Sequence, residues 1–525
     1  MTVQVLDPPE EDEATPEPSS AETPRNGARW AWWVTAAVFT GVGCLWALAS
    51  PLFSSPDEPA HVVRAVAASR GQILPGERTE REYSTYVEVP EVFALSGQVP
   101  MCFAFQGDIG ADCGPAFEGG TETTKVETNA GLYPPAYYAV VGLPSVVFPS
   151  AKGVYLMRAL NAALCGAFLA SAIASARHTR SPRLVIGGIA IAATPMLFFL
   201  GGSVNPSGVE IAASICLWTS LYAALERSDT KPSGRLLLRI AVAGSALALS
   251  RPGSPMWVAL IAVVLVAWFG LRRVFEVGRD RRTWPVVAAV GLASLSTLLW
   301  VSHYGTLTTT NGGLAGSDSL AANTRIALGT TGGQIDQMIG VFGWLDTGPA
   351  TLTIYLWLFA LGTLVLLGLA AASWYQRLVL LGVTAAVVLL PVILQVPRAE
   401  TQGFPWQGRY TLPLAVGLPI LATLLIDKER GLPDRFLRQL VGAVLAMWVV
   451  GQLYAHIWAT RRYTAGVHGP LNWLTADGFH PPVPVWSLFA GTVVVLTVGG
   501  VWLYGLATDG PTPWSDRLRR SPIHR

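Results

Sequence analysis

The densest run of chemistry-bearing side chains is Ser54-Ser55-Pro56-Asp57-Glu58-Pro59-Ala60-His61-Val62-Val63-Arg64, directly after the first long apolar stretch. Serine, then proline, then acids is a helix-start signal. Ser55 with Glu58 spells a capping box, and acids suit the positive end of a helix. Pro59 conflicts with that reading, because in a helix begun at Ser55 it removes the first intrahelical hydrogen bond. A helix begun at Pro59 leaves Asp57 ahead of it and free to project. In either case Asp57, His61 and Arg64 stand at i, i+4 and i+7, on one face. A carboxylate, an imidazole and a guanidinium aligned beside an apolar segment exceed what capping requires, and ionisable groups near membrane depth usually serve function. The types and alignment of these side chains favour function over capping.

Two more arginines raise the question of an anion. Arg409 lies in Gln407-Gly408-Arg409-Tyr410 at the end of an apolar segment, and Arg251 lies between two short apolar segments with no other charge nearby. A guanidinium grips phosphate through two oxygens, which an ammonium does not match. The plain alternative is an interfacial arginine reaching for headgroups, with Tyr410 as a belt aromatic. Trp344 and Asp346 in FGWLDTGP have the types that contact sugars, since rings stack on sugar faces and carboxylates accept from hydroxyls. A turn before the next apolar segment explains them equally well. Asn205 in SVNPSG reads as an Asx cap of the following helix.

Lipid-embedded helices must hold these groups in place. Of 525 residues, 51% are hydrophobic and 13% charged, whereas a soluble chain carries roughly 25% charge. The net charge of +2 gives no support to a nucleic-acid partner. Apolar segments of spanning character run near 30–50, 153–175, 184–203, 207–225, 236–251, 254–271, 285–302, 351–372, 377–396, 411–426, 437–458 and 486–506. The expected fold is an all-α polytopic membrane protein of about 12 transmembrane helices, with interfacial helices in a long first outer loop.

Residues 1–29 form a Pro-, Glu- and Ser-rich acidic tail that lacks the apolar surface to fold, and 508–525 form a basic one. No basic region precedes a short apolar stretch at the start, so the first span reads as a retained anchor. The basic clusters Arg177, Arg180 and Arg183; Arg272, Arg273, Arg279, Arg281 and Arg282; and Lys428, Arg430, Arg435 and Arg438 all fall on the N-terminal side of the membrane. By the positive-inside rule both termini are cytoplasmic. This requires 133–149, YPPAYYAVVGLPSVVFP, to lie at the interface or re-enter; as a thirteenth span it would reverse every later loop. The domain 30–507 then presents outer loops at about 51–152, 303–350, 397–410 and 459–485. Cys102 and Cys113 lie in the first of these, where an oxidising compartment permits a disulfide. Cys44, Cys165 and Cys216 read as small buried packers.

An Asp-Glu pair just beyond the first span resembles the membrane glycosyltransferases of the GT-C superfamily. The string PDEPAHVVRA, followed in order by YPPAYY, GSVNPSG, FGWLDTGP and QGRYTLP, is similar to a bacterial membrane family known as domain of unknown function 2142; the resemblance runs from about 45 to 415. It implies an inverting glycosyltransferase that uses a polyprenyl phosphate-linked sugar donor on the outer face of the bacterial cytoplasmic membrane. The acceptor would be a cell-envelope glycan or glycolipid. Asp57 takes the position of the acid that deprotonates the acceptor, help of a kind worth about 10²–10⁴-fold in rate, with Glu58 as second acid.

A phosphate leaving group calls for cations, here Arg409 with Arg64, and Arg251 as a further candidate. Tyr133 stands where some of these enzymes have the His of a His-Pro-Pro stretch, which makes it a wall or stacking residue. Some members hold Mg²⁺ or Mn²⁺, for which Asp57 and Glu58 are the available ligands. No zinc, nucleotide or dinucleotide motif is visible, so no other cofactor is expected. The alternatives are a transporter or flippase, or a non-catalytic assembly protein, for lipid-linked envelope glycans. A proton-driven transporter calls for acids within its spans, and Glu210, near the outer end of one, is the visible exception.

Overall fold

In the computed structural model, residues 25–508 are described, except 82, 181, 227–230, 308–315, 427–431, 471 and 476–477. The acidic tail therefore lies outside the described residues as far as 24, and its last residues join α1 (Arg25–Ala49). The basic tail lies outside them from 509.

Between α1 and the next long helix come α2 (Glu58–Ser69), strands β1 (Thr85–Pro90) and β2 (Thr123–Thr128), and the short α3 (Ala136–Val141) and α4 (Leu143–Val147). The strands pair antiparallel, from Thr85 opposite Thr128 to Pro90 opposite Thr123. The short helices expected in this loop are present, and a strand hairpin accompanies them. Thr-Tyr-Val-Glu-Val alternates buried and exposed side chains with β-branched residues inside, the period of a strand. At about 1.5 Å per residue, α3 and α4 fall far short of the roughly 30 Å of a bilayer core. Neither helix of the stretch 133–149 is long enough to cross by itself. Cys102 and Cys113 are joined in a disulfide between the two strands.

The bundle follows as α5 (Ala151–Ala176), α6 (Pro182–Ala192), α7 (Pro195–Gly201), α8 (Pro206–Glu226), α9 (Gly234–Ser250), α10 (Ser254–Phe269), α11 (Leu271–Gly278) and α12 (Trp284–Tyr304). After the shorter α13 (Leu320–Gly329) and α14 (Thr331–Ile339) come α15 (Thr351–Ala371), α16 (Trp374–Gln395) and α17 (Ala399–Gln402). The chain continues through α18 (Gly408–Ala415), α19 (Gly417–Ile426), α20 (Asp434–Ala465) and α21 (Val485–Thr508). Helix is the form an apolar run takes in lipid, where every backbone group needs a partner within the segment.

Among the described residues nine stretches are long and apolar enough to cross unbroken, and two more are helix pairs, α6–α7 bent by 63° and α10–α11 by 110°. The second bend turns at Gly270, whose φ of 80° suits glycine alone. The expectation of about twelve spans exceeds these eleven by α9, whose 17 residues sit at the short end of the spanning range. Down one flank α1, α5, α8, α9 and α12 pack in succession; down the other, α1, α21, α20, α15 and α19. Small residues let the backbones close up: Gly43 of α1 meets Ala162 of α5, and Gly166 of α5 meets Thr40.

One ion pair fastens the first loop to this bundle. Arg158 of α5 grips Glu58 through both ends, Nε to Oε1 at 2.7 Å and Nη2 to Oε2 at 2.6 Å, with both side chains fully buried. Arg158 also donates to the carbonyls of Ala47, Ser50 and Pro51, and Glu58 Oε1 accepts from the Val204 amide at 2.9 Å. All partners being present, the charges cost little; remove one and the other is stranded. Glu58→Gln or Arg158→Met alone should lose about 3–5 kcal/mol of stability, read as a lower unfolding temperature in lipid nanodiscs. The double variant should recover most of the loss; failure to recover would mean the pair does more than satisfy itself.

Candidate functional site

Between α1 and α2 the chain makes a tight loop with two non-glycine residues in the left-handed region, Phe53 at φ 65° and Asp57 at φ 64°. Such conformations cost about 1–3 kcal/mol each and persist where surroundings impose them. The capping box does not form. Glu58 is committed to Arg158, and the Ser55 hydroxyl is buried without a partner among the described residues. Asp57 is the N-cap residue of α2 but makes no side-chain cap; its carbonyl accepts from the His61 amide at 3.0 Å, and its carboxylate projects away.

That carboxylate meets Arg409 of α18, Nη2 to Oδ2 at 2.6 Å. Two glutamines hold the segment leading to Arg409 by its backbone: Gln395 Oε1 accepts from Trp406 N at 2.9 Å and Gln337 Oε1 from Gly408 N at 2.8 Å. Gly408 lies so close to α14 that a Cβ there would collide with the Gln334 carbonyl. Arg251 approaches from the end of α9, donating to Ser207 Oγ at 2.8 Å and lying 3.9 Å from Glu210. Its guanidinium is 4.4 Å from the Tyr410 ring centre, and that of Arg409 is 5.2 Å from it, so one phenol supports two cations. Burial alone would raise the Asp57 carboxyl, but Arg409, with Arg251 adding to it, holds the carboxyl below the ordinary aspartate value.

His61, one turn along α2, bonds the Tyr138 hydroxyl through Nδ1 at 2.9 Å. Burial pushes its imidazole down to about 3, with Asp57 opposing and Arg251 and Arg409 adding. It is therefore a neutral ring at physiological pH. When Tyr138 donates to Nδ1, the proton sits on Nε2.

Asp57 and His61 line a cavity of about 640 Å³ together with Tyr133, Gln407 and Tyr410. Asp57 is half-exposed and lines this half-open cavity. The polar part of the remaining wall is mostly amide, with Asn129, Gln334, Gln337 and Gln395, and the rest is aromatic, aliphatic or small, with Tyr83, Trp406 and Leu132 among it. Such a lining suits a neutral, hydroxyl-rich ligand beside one charged corner.

Several expected residues are placed elsewhere. Arg64 does not share the cavity with Asp57: it is buried and donates to the carbonyls of Gln72 and Ile73 at 2.9 and 2.7 Å. Glu58 is spent on Arg158, so the two acids do not form a joint metal site, and the described residues hold no group of three metal-ligating side chains. Asp346 pairs with buried Arg462 at 2.8 Å, which also clamps the carbonyls of Phe103, Gln106 and Ile109. Trp344 donates to the Phe53 carbonyl at 3.2 Å. From FGWLDTGP it is Leu345, at φ 64°, that reaches the cavity.

Arg158, Tyr138 and the glutamines of α14 and α16 were missed in the sequence. A lone arginine inside an apolar span was the available signal for the first; nothing local marks the others.

These features define a multi-pass membrane protein with an ionised, cavity-lining site built from its first loop and the end of a late span. The chain belongs to the family described as "Predicted membrane protein (DUF2142)", which matches residues 39–418. No curated protein matches it. Among solved structures it is similar to ArnT from Cupriavidus metallidurans bound to undecaprenyl phosphate, with a TM-score of 0.42 and 14% identity, covering 93% of this chain and 78% of that one. A likeness at that level carries no argument about activity or ligand.

The depressed His61 value has a consequence for stability. The unfolded chain takes up a proton below the ordinary 6.5, whereas the native imidazole resists until about 3. Stability is thus complete above 6.5 and falls as the pH drops, by up to about 1.4 kcal/mol per unit. Asp57, whose folded value is lowered, adds its own loss only below the ordinary 3.8. Between pH 6.5 and about 4.5 the unfolding temperature of His61→Gln should therefore fall less steeply than that of the parent. Parallel curves would remove the buried neutral imidazole.

Proposed function

We propose that this protein is an inverting glycosyltransferase of the GT-C type. It takes a sugar from a polyprenyl phosphate carrier on the outer face of the bacterial cytoplasmic membrane and passes it to a cell-envelope glycan or glycolipid. One observation carries the reading: a carboxylate facing a half-open cavity, with amide and aromatic groups in its wall, is backed at 2.6 Å by a buried guanidinium. The order of the sequence motifs and the disulfide in the first loop, which suits an oxidising compartment, support it.

In the reaction, Asp57 accepts the proton of the acceptor hydroxyl while that oxygen bonds to the anomeric carbon. The bond from this carbon to the phosphate oxygen breaks on the opposite side, so the configuration inverts. The electron pair leaves with the polyprenyl phosphate, whose charge Arg409 and Arg251 stabilise. Neutral His61 serves as a hydrogen-bonding wall, since it carries no charge to add. Tyr133, Tyr410 and the amides bound the sugar. No step runs through a metal.

Asp57→Asn should lower transfer from a polyprenyl phosphate sugar by about 10²–10⁴-fold while the protein stays folded in the membrane. Transfer at the parent rate would end the proposal. A deletion strain should accumulate one lipid-linked sugar, and mass spectrometry of its lipids would name the donor.

A further inference from the structure

We infer that the Asp57–Arg409 ion pair is a resting state which an incoming phosphodiester breaks: the guanidinium passes from the carboxylate to the phosphate, and the released carboxylate becomes the base. This rests on the donor phosphate of the reading above and assigns how its arrival is coupled to the chemistry.

Three observations lead there. Asp57 lines the large cavity, whereas Arg409 lines an adjoining void of about 10 Å³ that shares Gln337, Leu345 and Gln407 with the cavity wall. Arg409 is buried yet uses a single nitrogen: Nη2 reaches Asp57 and, at 3.4 Å, the Tyr410 hydroxyl, while Nε and Nη1 have no partner among the described residues. An unbonded edge of a buried guanidinium is a docking face for two oxygens of an anion.

The third is geometric. In-line displacement puts base and leaving group on opposite sides of the attacked carbon, and where two carboxylates do comparable work in inverting glycosidases they stand about 6.5–9.5 Å apart. A cation 2.6 Å from the base does not hold the leaving phosphate from that position. Arg251 is fixed by Ser207 and by the Tyr410 ring, so Arg409 is the cation with bonds to exchange.

The exchange also resolves a conflict in the resting site. Paired with Arg409, Asp57 is held below the ordinary carboxyl value and is a weak base. Once the guanidinium departs, burial dominates and proton affinity rises, with a phosphate anion adding to the rise. The groups that face Asp57 are His61 of α2, Arg409 and Tyr410 of α18, Arg251 after α9, Tyr133 ahead of α3 and Tyr138 within it, with Glu210 of α8 acting through Arg251. Of these, Arg409 is the one bonded to its carboxylate.

The test measures binding of a short prenyl methyl phosphodiester, which does not titrate near neutrality, to the full-length protein in nanodiscs. Removing the competing carboxylate should make Asp57→Asn bind it roughly ten-fold more tightly. The same substitution should add nothing in an Arg409→Gln background, because the gain passes through that guanidinium. An Asp57→Asn variant that binds no tighter, or a gain that survives without Arg409, overturns the exchange. Calorimetry in buffers of different ionisation enthalpy gives a readout independent of the Arg409 variant: below neutrality the parent should take up more of a proton on binding than Asp57→Asn does. Equal uptake by both overturns the exchange. Loss of transfer with unchanged affinity in Asp57→Asn would retain the glycosyltransferase and discard the exchange; normal transfer would discard the glycosyltransferase itself.

Discussion

The site exists because a carboxylate and a guanidinium are locked together out of reach of water. Arg158 enters the bundle from α5 and ties Glu58, the carbonyls at the end of α1 and, through Glu58, Val204 in the α7–α8 connection. This single cluster sets the angle at which the chain leaves the first span. Its members satisfy one another, which is the condition under which a buried charge pair is tolerable. The neighbouring residue inherits the result: with Glu58 pinned and the backbone forced through the left-handed region, Asp57 has one direction left, toward the cavity and Arg409.

Adjacent acids thus take opposite roles through environment alone. Glu58 is enclosed and structural, whereas Asp57 is half-open and reactive in position. A second division of labour separates the arginines. Arg64, Arg158 and Arg462 are buried and occupied with backbone carbonyls, which makes them fasteners of loops to helices. Arg409 has donors to spare, and Arg251 rests on the same aromatic ring. A guanidinium bonded on several edges has no capacity for a ligand; one with vacant edges has.

The loops are fitted to this purpose by close backbone contacts. Gly408 lets α18 begin hard against α14, and Gln337 and Gln395 hold the preceding residues through their amides. The disulfide between Cys102 and Cys113 and the Arg462 clamp fix the far part of the first loop over the end of α20. Binding groups carried on loops gain their precision from such supports.

The sequence by itself determined what depends on neighbours along the chain: the apolar runs that become long helices, the proline-broken stretch at 133–149 whose helices stay short, and Asp57 at the head of α2 without a side-chain cap. Each follows from run length or backbone restriction acting within a few turns. Tertiary structure decided which charge meets which. Glu58 finds Arg158 across 100 residues and Asp57 finds Arg409 across 352, and no periodicity records a pairing at such separations. The hairpin in the first loop and the withdrawal of Arg64, Trp344 and Asp346 from the cavity have the same origin. Side chains of suitable type are spent wherever a buried carbonyl or opposite charge lies closest, and that distance is set only when the helices pack.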